Sequence, residues 1–405
     1  MKIRIVTLGC KLNFAESSAL MNELIRRGYE RAKQGEQADI VIVNTCTVTD
    51  TADQKDRQAI HRVRRENPNA KIVVTGCYAR LHPREIADMV EVDRVVKKRE
   101  DVFQPAYSKD DRTRCFLKVQ DGCNYFCTYC AIPYARGRSR NPSIRSVCEQ
   151  AMTALNEGAK EIVLTGVNIG DFGRTTGERF IDLLQALDTL PYDDTYRLRI
   201  GSVEPNLLSY EIIDLVAQSK HIAPHFHIPL QSGSDEVLRI MNRHYDTALF
   251  RERVAYIRKV LPYAFIGVDC MVGVRGETAE RWEQYVDLIQ SLQVSQLHVF
   301  TYSERAGTRM LTMDLPVIPM TERHRRSQVL HGISEDKLQA FYALCSDMPQ
   351  TVLWEGKNDH GVMYGFSENY IRHSRPFDKN RINTFEQISA QCKWKTVYRS
   401  KVCYL

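Results

Sequence analysis

Residues 121–130 read DGCNYFCTYC and place Cys123, Cys127 and Cys130 in a C-x3-C-x2-C spacing. Thiolates set this closely are metal ligands. A structural zinc site needs a fourth Cys or His at short spacing, and none is present. The two-cluster ferredoxin pattern, C-x2-C-x2-C-x3-C-P, is also absent. Three thiolates on a four-iron cube leave one iron open, and an open iron is a docking position for a cofactor or substrate.

A second set of three is spread through the first eighty residues. Cys10, Cys46 and Cys77 each end a β-branched, strand-like run: KIRIVTLGC (2–10), ADIVIVNTC (38–46) and AKIVVTGC (70–77). Helical patterns lie between the runs, at 17–28 with Leu20, Leu24 and Ile25 on one face, and at 51–66 with Ala59, Ile60 and Val63 as a narrow stripe. Strand alternating with helix predicts a doubly wound parallel sheet, and such sheets bind ligands at the carboxyl ends of their strands. The three cysteines therefore reach one sheet edge together. Three core cysteines are the alternative.

The elements that must carry these ligands follow from length and pattern. A chain of 405 residues with 43% hydrophobic content is expected to form two or three domains. No run of about 18 apolar residues exists, so no membrane span is expected. The start is too short and too polar in its continuation for a signal peptide, so a cytoplasmic protein is expected. In a reducing compartment twelve cysteines point to metal or redox chemistry over a disulfide framework. Cys115, Cys148, Cys270, Cys345, Cys392 and Cys403 share no ligand-like spacing and read as small apolar residues.

Residues 100–113 read as a linker. Candidate strands then recur at 115–120, 161–166, 197–202, 225–230, 265–272 and 296–302, separated by helical stretches such as 146–158 and 279–292, with a closing helix at 321–343. Six such units are too few for an eight-unit barrel and suit an open, partial one. Past Pro349 only short strands follow, as in a small β-barrel. That tail, 350–405, carries nine Lys/Arg against five Asp/Glu and many aromatics. The composition suits looped RNA, or equally a small β-domain with an aromatic core.

C-x3-C-x2-C with Tyr129 before the last cysteine resembles the radical S-adenosylmethionine enzymes. TLGCKLNFAES (7–17), VNTCTVT (43–49), TGCYAR (75–80), PYARGRSR (133–140), LTGVNIGDFG (164–173), GSVEP (201–205), HIPLQSGSDEVLRIMNRHY (227–245) and FTYSERAGT (300–308) are similar to the methylthiotransferase subfamily. YGFSENYI (364–371) resembles its terminal RNA-binding barrel. The resemblance implies an α/β fold in three parts: a doubly wound domain over 1–105, a partial (β/α)6 barrel over 113–345 and a small all-β barrel over 349–405. It implies two 4Fe–4S clusters, one on Cys123, Cys127 and Cys130 and one on Cys10, Cys46 and Cys77. It also implies S-adenosylmethionine as methyl donor and as source of a 5′-deoxyadenosyl radical, with C–H replaced by C–SCH3 as the net reaction.

By the same resemblance Tyr129, Gly166, Asn168, Ser202, Glu204, Gln231, Ser232 and Arg243 fall near the cofactor, although the polar ones at strand ends suit caps or turns as well. Arg136, Arg138 and Arg140, just after the first cysteine set, read as RNA phosphate contacts or cofactor contacts, or else a solvated face, and Tyr370, Arg372 and Arg375 in the tail are candidates for RNA contact. The subfamily divides by substrate into N6-threonylcarbamoyladenosine of tRNA, N6-isopentenyladenosine of tRNA, and an aspartate of a ribosomal protein. LGCKLNFAES and NTCTVT look most like the first branch. The protein-modifying branch typically has Pro-Lys where this chain has Lys11 and Leu12. Expected partners are a tRNA anticodon stem-loop, an electron donor such as flavodoxin or ferredoxin, and a sulfur donor. A non-catalytic iron–sulfur protein that binds RNA or carries electrons is the rival reading.

Overall fold

The structure, a computed structural model, describes residues 1–33, 35–97, 103–108 and 113–388. Half of the linker expected at 100–113, together with Cys392, Cys403 and the terminal KWKTVYRSKVCYL, lies outside the described residues. Among the described residues no helix is long and apolar enough to cross a membrane.

The first sheet is parallel, with strands β1 (Lys2–Thr7), β2 (Glu30–Arg31), β3 (Ile40–Thr45), β4 (Lys71–Gly76) and β5 (Arg94–Val95) in the order β2-β1-β3-β4-β5. Strand alternation sends Ile3 and Ile42 toward Met21 of helix Lys11–Arg26 on one face. It sends Val41, Val43, Ile72 and Val74 toward Ile60 and Val63 of helix Asp50–Glu66 on the other. The two faces are covered by helices leaving β1 and β3 in opposite directions, which makes the β1/β3 gap the switch point where such sheets open a crevice.

The first helix departs from expectation. It begins at Lys11, directly after Cys10, not at residue 17. Ile25 is 46% exposed, and the fully buried positions are Leu12, Asn13, Ala15, Ser17 and Met21. The reason is tertiary. Ala15, flanked by Phe14 and Ala19, packs on Phe116 and Val163 of the next sheet, a contact that no local periodicity encodes.

Six more parallel strands follow: β6 (Arg114–Lys118), β7 (Glu161–Thr165), β8 (Arg197–Arg199), β9 (His225–Gln231), β10 (Phe265–Val272) and β11 (Gln296–Thr301). They form two three-stranded sheets, β6-β7-β8 and β9-β10-β11, joined by single parallel bridges at Leu198–Ile222 and Ser202–His227. One pleat face carries Leu117, Ile162, Leu164, Leu198, Ile228 and Val268 into a large core with the covering helices. The inner face carries Phe116 and Val163 together with charged groups: Lys118, Glu161, Arg199, His227, Asp269 and His298. Helix Met320–Leu344 closes this part.

Strands β12 (Gln350–Trp354), β13 (Val362–Phe366), β14 (Arg372–Pro376) and β15 (Phe385–Ile388) pair antiparallel in the order β14-β13-β12-β15. Val352, Trp354, Met363 and Ile388 form its core. Two arginines of β8 dock it. Arg197 donates to the Phe366 carbonyl at 3.2 Å and to that of Thr351, and Arg199 donates to the Glu368 and Ser367 carbonyls at 3.1 and 3.2 Å. Both arginines grip Glu161, which is fully buried.

Candidate functional site: two facing cysteine triads

The Cys123–Cys130 loop is shaped by backbone constraints. Gly122 has φ +71°, and a Cβ there would lie 2.0 Å from the Arg138 carbonyl oxygen. The Cys123 amide donates to the Gly137 carbonyl at 3.0 Å. Thr128 bonds the carbonyls of Met241 and Ile240, at 3.1 and 2.8 Å, and Asn242 donates to that of Tyr125 at 2.9 Å. The loop is thus pinned to the turn after β9 in which Arg243 sits. Arg243 is a hub. It donates to Cys127 Sγ at 3.1 Å, Tyr129 Oη at 3.4 Å and Tyr245 Oη at 3.1 Å, and it pairs with Glu204.

Burial, then the neighbouring thiols, pushes Cys123 up to about 11 and Cys130 up to about 12. Cys127 is raised by burial and then by the Glu204 carboxylate, with Arg243 opposing. One buried and two partly buried thiols set close together are a donor set that an iron–sulfur cluster fits. Around them, Asn168 Oδ1 and Nδ2, Asn206 Oδ1 and Gln231 Oε1 are buried with no hydrogen-bond partner in the protein. Gln231 also holds φ +65°, strain that survives where surrounding contacts impose it. Orphaned polar atoms of this kind suit a polar cofactor such as S-adenosylmethionine.

The other residues expected near the cofactor are placed as follows. Gly166 packs under Gln120, whose carbonyl oxygen would lie 2.8 Å from a Cβ there. Gln120 Oε1 accepts the Val167 and Asn168 amides at 2.9 and 2.8 Å. Ser232 is fully buried. Ser202 instead reaches His227 Nδ1 at 3.2 Å.

Cys10, Cys46 and Cys77 also converge. Cys10 caps helix Lys11–Arg26, Cys46 directly follows β3, and Cys77 begins helix Cys77–Leu81. Gly9 has φ +99°, and a Cβ there would lie 2.8 Å from Cys46 Sγ. Burial, then the Cys10 and Cys77 thiols, raises Cys46 to about 12. Cys10 is exposed, while Cys46 and Cys77 are buried. Asn13 stitches the edge by donating to the Leu8 and Thr45 carbonyls at 2.8 and 3.0 Å.

The elements next to the two triads pack together. Helix Cys77–Leu81 packs on helix Ile132–Arg136, which starts two residues after Cys130. Between them lies an ion cluster. Glu16 accepts from Lys118 at 2.8 Å and Arg136 at 3.2 Å, Arg136 also bonds Asp121 at 3.0 Å and Asn13 at 2.5 Å, and Lys118 pairs with Asp121 at 3.0 Å. Burial works against the Arg136 charge, but Cys77, Glu16, Asp121 and Cys10 outweigh it and hold its pKa high. A second clamp is Arg305, after β11, which bonds Asp53 at 2.7 Å and the Thr47 carbonyl at 3.1 Å beside Cys46.

Of the six residues proposed for RNA contact, only Arg138 is exposed. Arg136 is 2% exposed inside the ion cluster. Arg140 pairs with Asp121 at 2.9 Å. Tyr370 is buried among Phe265, Phe341 and Phe366, and its hydroxyl accepts from Arg114 at 3.1 Å. Arg372 lies 3.9 Å from the Tyr364 ring centroid, and Arg375 pairs with Glu386. Arg136 and Tyr370 therefore sit inside the protein, where neither meets an RNA surface in this conformation. Sequence reasoning missed Asn13, Glu16, Lys118, Asp121 and Arg305, although each lies in or beside a recognised motif. Of the six cysteines set apart as apolar, Cys115, Cys270 and Cys345 are buried and Cys148 is partly so.

Residues 2–97 match Uncharacterized protein family UPF0004, and residues 117–289 match the Radical SAM superfamily. A Bacillus subtilis protein named threonylcarbamoyladenosine tRNA methylthiotransferase MtaB is 36% identical over 404 residues, covering 90% of this chain and 88% of its own. A Thermotoga maritima protein of the same name is 34% identical, covering 95% and 93%. A Pelotomaculum thermopropionicum tRNA-2-methylthio-N(6)-dimethylallyladenosine synthase is 30% identical, covering 91% and 90%. The Kitasatospora setae radical S-adenosylmethionine methyltransferase TsrM, solved with cobalamin and a [4Fe-4S] cluster, shares the fold at a TM-score of 0.54 and 15% identity, covering 84% of this chain and 90% of that one. With two relatives 36% and 34% identical over 90% and 95% of it, the chain belongs to the radical S-adenosylmethionine tRNA methylthiotransferase family, in its threonylcarbamoyladenosine branch, and is a transferase.

Proposed function

We propose that this enzyme inserts a methylthio group at C2 of N6-threonylcarbamoyladenosine, next to the anticodon of tRNA. What supports the reading is the packing of helix Cys77–Leu81, which Cys77 begins, on helix Ile132–Arg136, which follows the C-x3-C-x2-C loop. Membership brings a 4Fe–4S cluster and S-adenosylmethionine. A second cluster on Cys10, Cys46 and Cys77, and two S-adenosylmethionines per turnover, extend that reading. When bound, these groups supply the one-electron chemistry and the sulfur that an inert aromatic C–H requires.

The chain's own residues do the rest. Cys123, Cys127 and Cys130 would hold one cluster and leave one iron for the cofactor. Arg243 balances the Cys127 and Glu204 charges. Asn168 and Gln231 offer unpaired polar atoms to the cofactor. The Glu16–Lys118–Arg136–Asp121 cluster and Arg305 keep the first sheet seated over the second set of strands and exclude water. In this reading residues 1–105 form the sulfur-inserting domain, 113–345 a partial six-stranded barrel, and 349–405 a small RNA-binding domain. An electron donor and a sulfur donor complete a cytoplasmic system.

The test is anaerobic reconstitution with S-adenosylmethionine, reductant, sulfide and unmodified-at-C2 tRNA, followed by mass spectrometry of nucleosides. Methylthio-threonylcarbamoyladenosine is expected from the intact enzyme. Cys127→Ala should make neither 5′-deoxyadenosine nor product. Cys46→Ala should still make 5′-deoxyadenosine, with about half the iron and no product. Product from Cys46→Ala would remove the second cluster from the mechanism. Methylthio on isopentenyladenosine alone would move the enzyme to the other tRNA branch. Absence of 5′-deoxyadenosine from loaded enzyme would favour a non-catalytic iron–sulfur protein.

A further inference from the structure

The loop that carries Cys123, Cys127 and Cys130 is held by three other segments, and each brings an exposed arginine. The Thr128 hydroxyl donates to the Ile240 carbonyl at 2.8 Å, and Arg239 immediately precedes Ile240 in helix Asp235–Ile240. The Thr128 carbonyl accepts the Met310 amide at 2.8 Å, and Arg309 immediately precedes Met310 in the turn Arg309–Thr312. The Cys123 amide donates to Gly137, and the next residue, Arg138, holds its guanidinium 5.8 Å from the Phe126 ring centroid. All three arginines are exposed, and among the described residues none has a carboxylate partner. Glu236 is already matched by Arg281, and Glu304 by Arg275 and Arg323, so Asp314 is left to offset three cations.

Exposed apolar side chains accompany these cations. Tyr134 is 51% exposed and stands edge-on to Phe126, with ring centroids 6.0 Å apart. Val317 and Met320 are 52% and 54% exposed. Their segment abuts the support of the loop. The Pro316 carbonyl accepts the Gly276 amide at 2.9 Å, and a Cβ on Gly276 would lie 3.0 Å from Ile240 and 3.4 Å from Leu315. Leu315 in turn packs with Met310 and with Tyr129, the residue before Cys130. Aromatic residues, methionine and arginine are the types that protein interfaces gather at their cores. An RNA backbone would gain from the arginines but nothing from Val317 and Met320. The face therefore fits a protein of negative charge.

We propose that this face docks an acidic electron-transfer protein, which delivers the single electrons that the radical reaction consumes. The inference rests on the reading of Cys123, Cys127 and Cys130 as cluster ligands and deepens it by naming where the donor sits. Electron transfer falls steeply with distance, so a donor must reach the loop that wraps the cluster. The side of that loop toward Arg243, with the unpaired atoms of Asn168 and Gln231, belongs to the cofactor. The side carrying Tyr134, Arg138, Arg239 and Arg309 is left for the donor. In the docked pair the donor is oxidised by one electron, which passes through the cluster to S-adenosylmethionine. The sulfonium–C5′ bond breaks, giving methionine and the 5′-deoxyadenosyl radical, and no proton moves. The arginines steer the encounter, and the apolar residues hold the complex.

The test compares a protein donor with a chemical one on the reconstituted enzyme. Photoreduced flavodoxin and dithionite are each used to drive 5′-deoxyadenosine formation from S-adenosylmethionine without RNA. Arg239→Glu and Arg309→Glu should each lower the flavodoxin-driven rate about tenfold and leave the dithionite-driven rate unchanged. The Kd of labelled flavodoxin, read by fluorescence anisotropy, should weaken by the same factor, and its dependence on salt should flatten. Tyr134→Ala and Met320→Ser should weaken that Kd with the salt dependence intact. A cluster-poor variant lowers both rates by one factor, so the ratio of the two rates decides. An unchanged ratio in both charge reversals would overturn the proposal, as would failure of flavodoxin to bind the intact enzyme. So would a loss confined to anticodon stem-loop affinity, which would make the face an RNA surface. Absence of 5′-deoxyadenosine with either reductant would instead reject the radical reading, and the flavodoxin affinities would still decide the surface.

Discussion

Two buried charges show what single residues contribute. Arg243 spans a cysteine sulfur, a carboxylate and two phenols, a task for a planar fork of donors. Lysine offers a point charge with a shorter reach. Arg243→Lys should therefore lower 5′-deoxyadenosine formation by roughly 10- to 100-fold, read by chromatography of single-turnover reactions. Glu161 is structural. Burial alone would raise its carboxyl, but Arg199, Arg197 and Arg114 outweigh burial and bring it to about 2. A folded-state value below the usual 4.5 stabilises the protein fully above that pH, and the gain is lost as pH falls through about 2. Glu161→Gln leaves two buried guanidinium groups short of a counter-charge and should cost about 3–5 kcal/mol, measured by denaturant unfolding at pH 7. The variant should also lose the intact protein's extra sensitivity to acid.

At the scale of elements, the turns after β1 and β4 do as much as the cysteines. Strands β1, β3 and β4 each end in a glycine or a short polar turn that carries a cysteine to the same sheet edge. At Gly9 a side chain would lie 2.6 Å from Cys46 Cβ in a left-handed backbone, so alanine forces Cys46 away. Gly9→Ala should lose about half the iron of reconstituted enzyme and all methylthio product, while 5′-deoxyadenosine is still made. The local strain is worth about 1–3 kcal/mol, so the variant should fold. Retention of full iron would show that the second triad tolerates a displaced thiol.

At the scale of the molecule, the first sheet is coupled to the loop after β11 by a buried arginine clamp and a surface hydrogen bond. Arg305 joins the loop after β11 to Thr47 and Asp53, and Ser303 accepts the Asp50 amide at 3.1 Å. Removing that clamp does not touch either triad directly. Arg305→Ala should leave both clusters loaded yet lower methylthio product per 5′-deoxyadenosine by about tenfold, since a displacement near 1 Å at a reacting centre costs up to about 100-fold. The ratio of the two products, measured in one reaction, checks it.

The sequence by itself determined both cysteine triads. The first is a local spacing, and the second follows from the period of strands and helices, because a parallel sheet delivers every strand end to one edge. Short-range rules therefore sufficed for Cys10, Cys46, Cys77, Cys123, Cys127 and Cys130 as candidates. They did not suffice for the start of helix Lys11–Arg26, whose buried face is set by Phe116 and Val163 about a hundred residues away. Nor did they place Arg136 and Tyr370, which composition offers to RNA and folding buries. The pairing of Glu16 with Lys118 and Arg136, of Arg305 with Asp53, and the gathering of His227, Asp269 and His298 join residues from separate strands and helices. Only the tertiary structure decides such contacts, because burial, not spacing, selects which charges must meet.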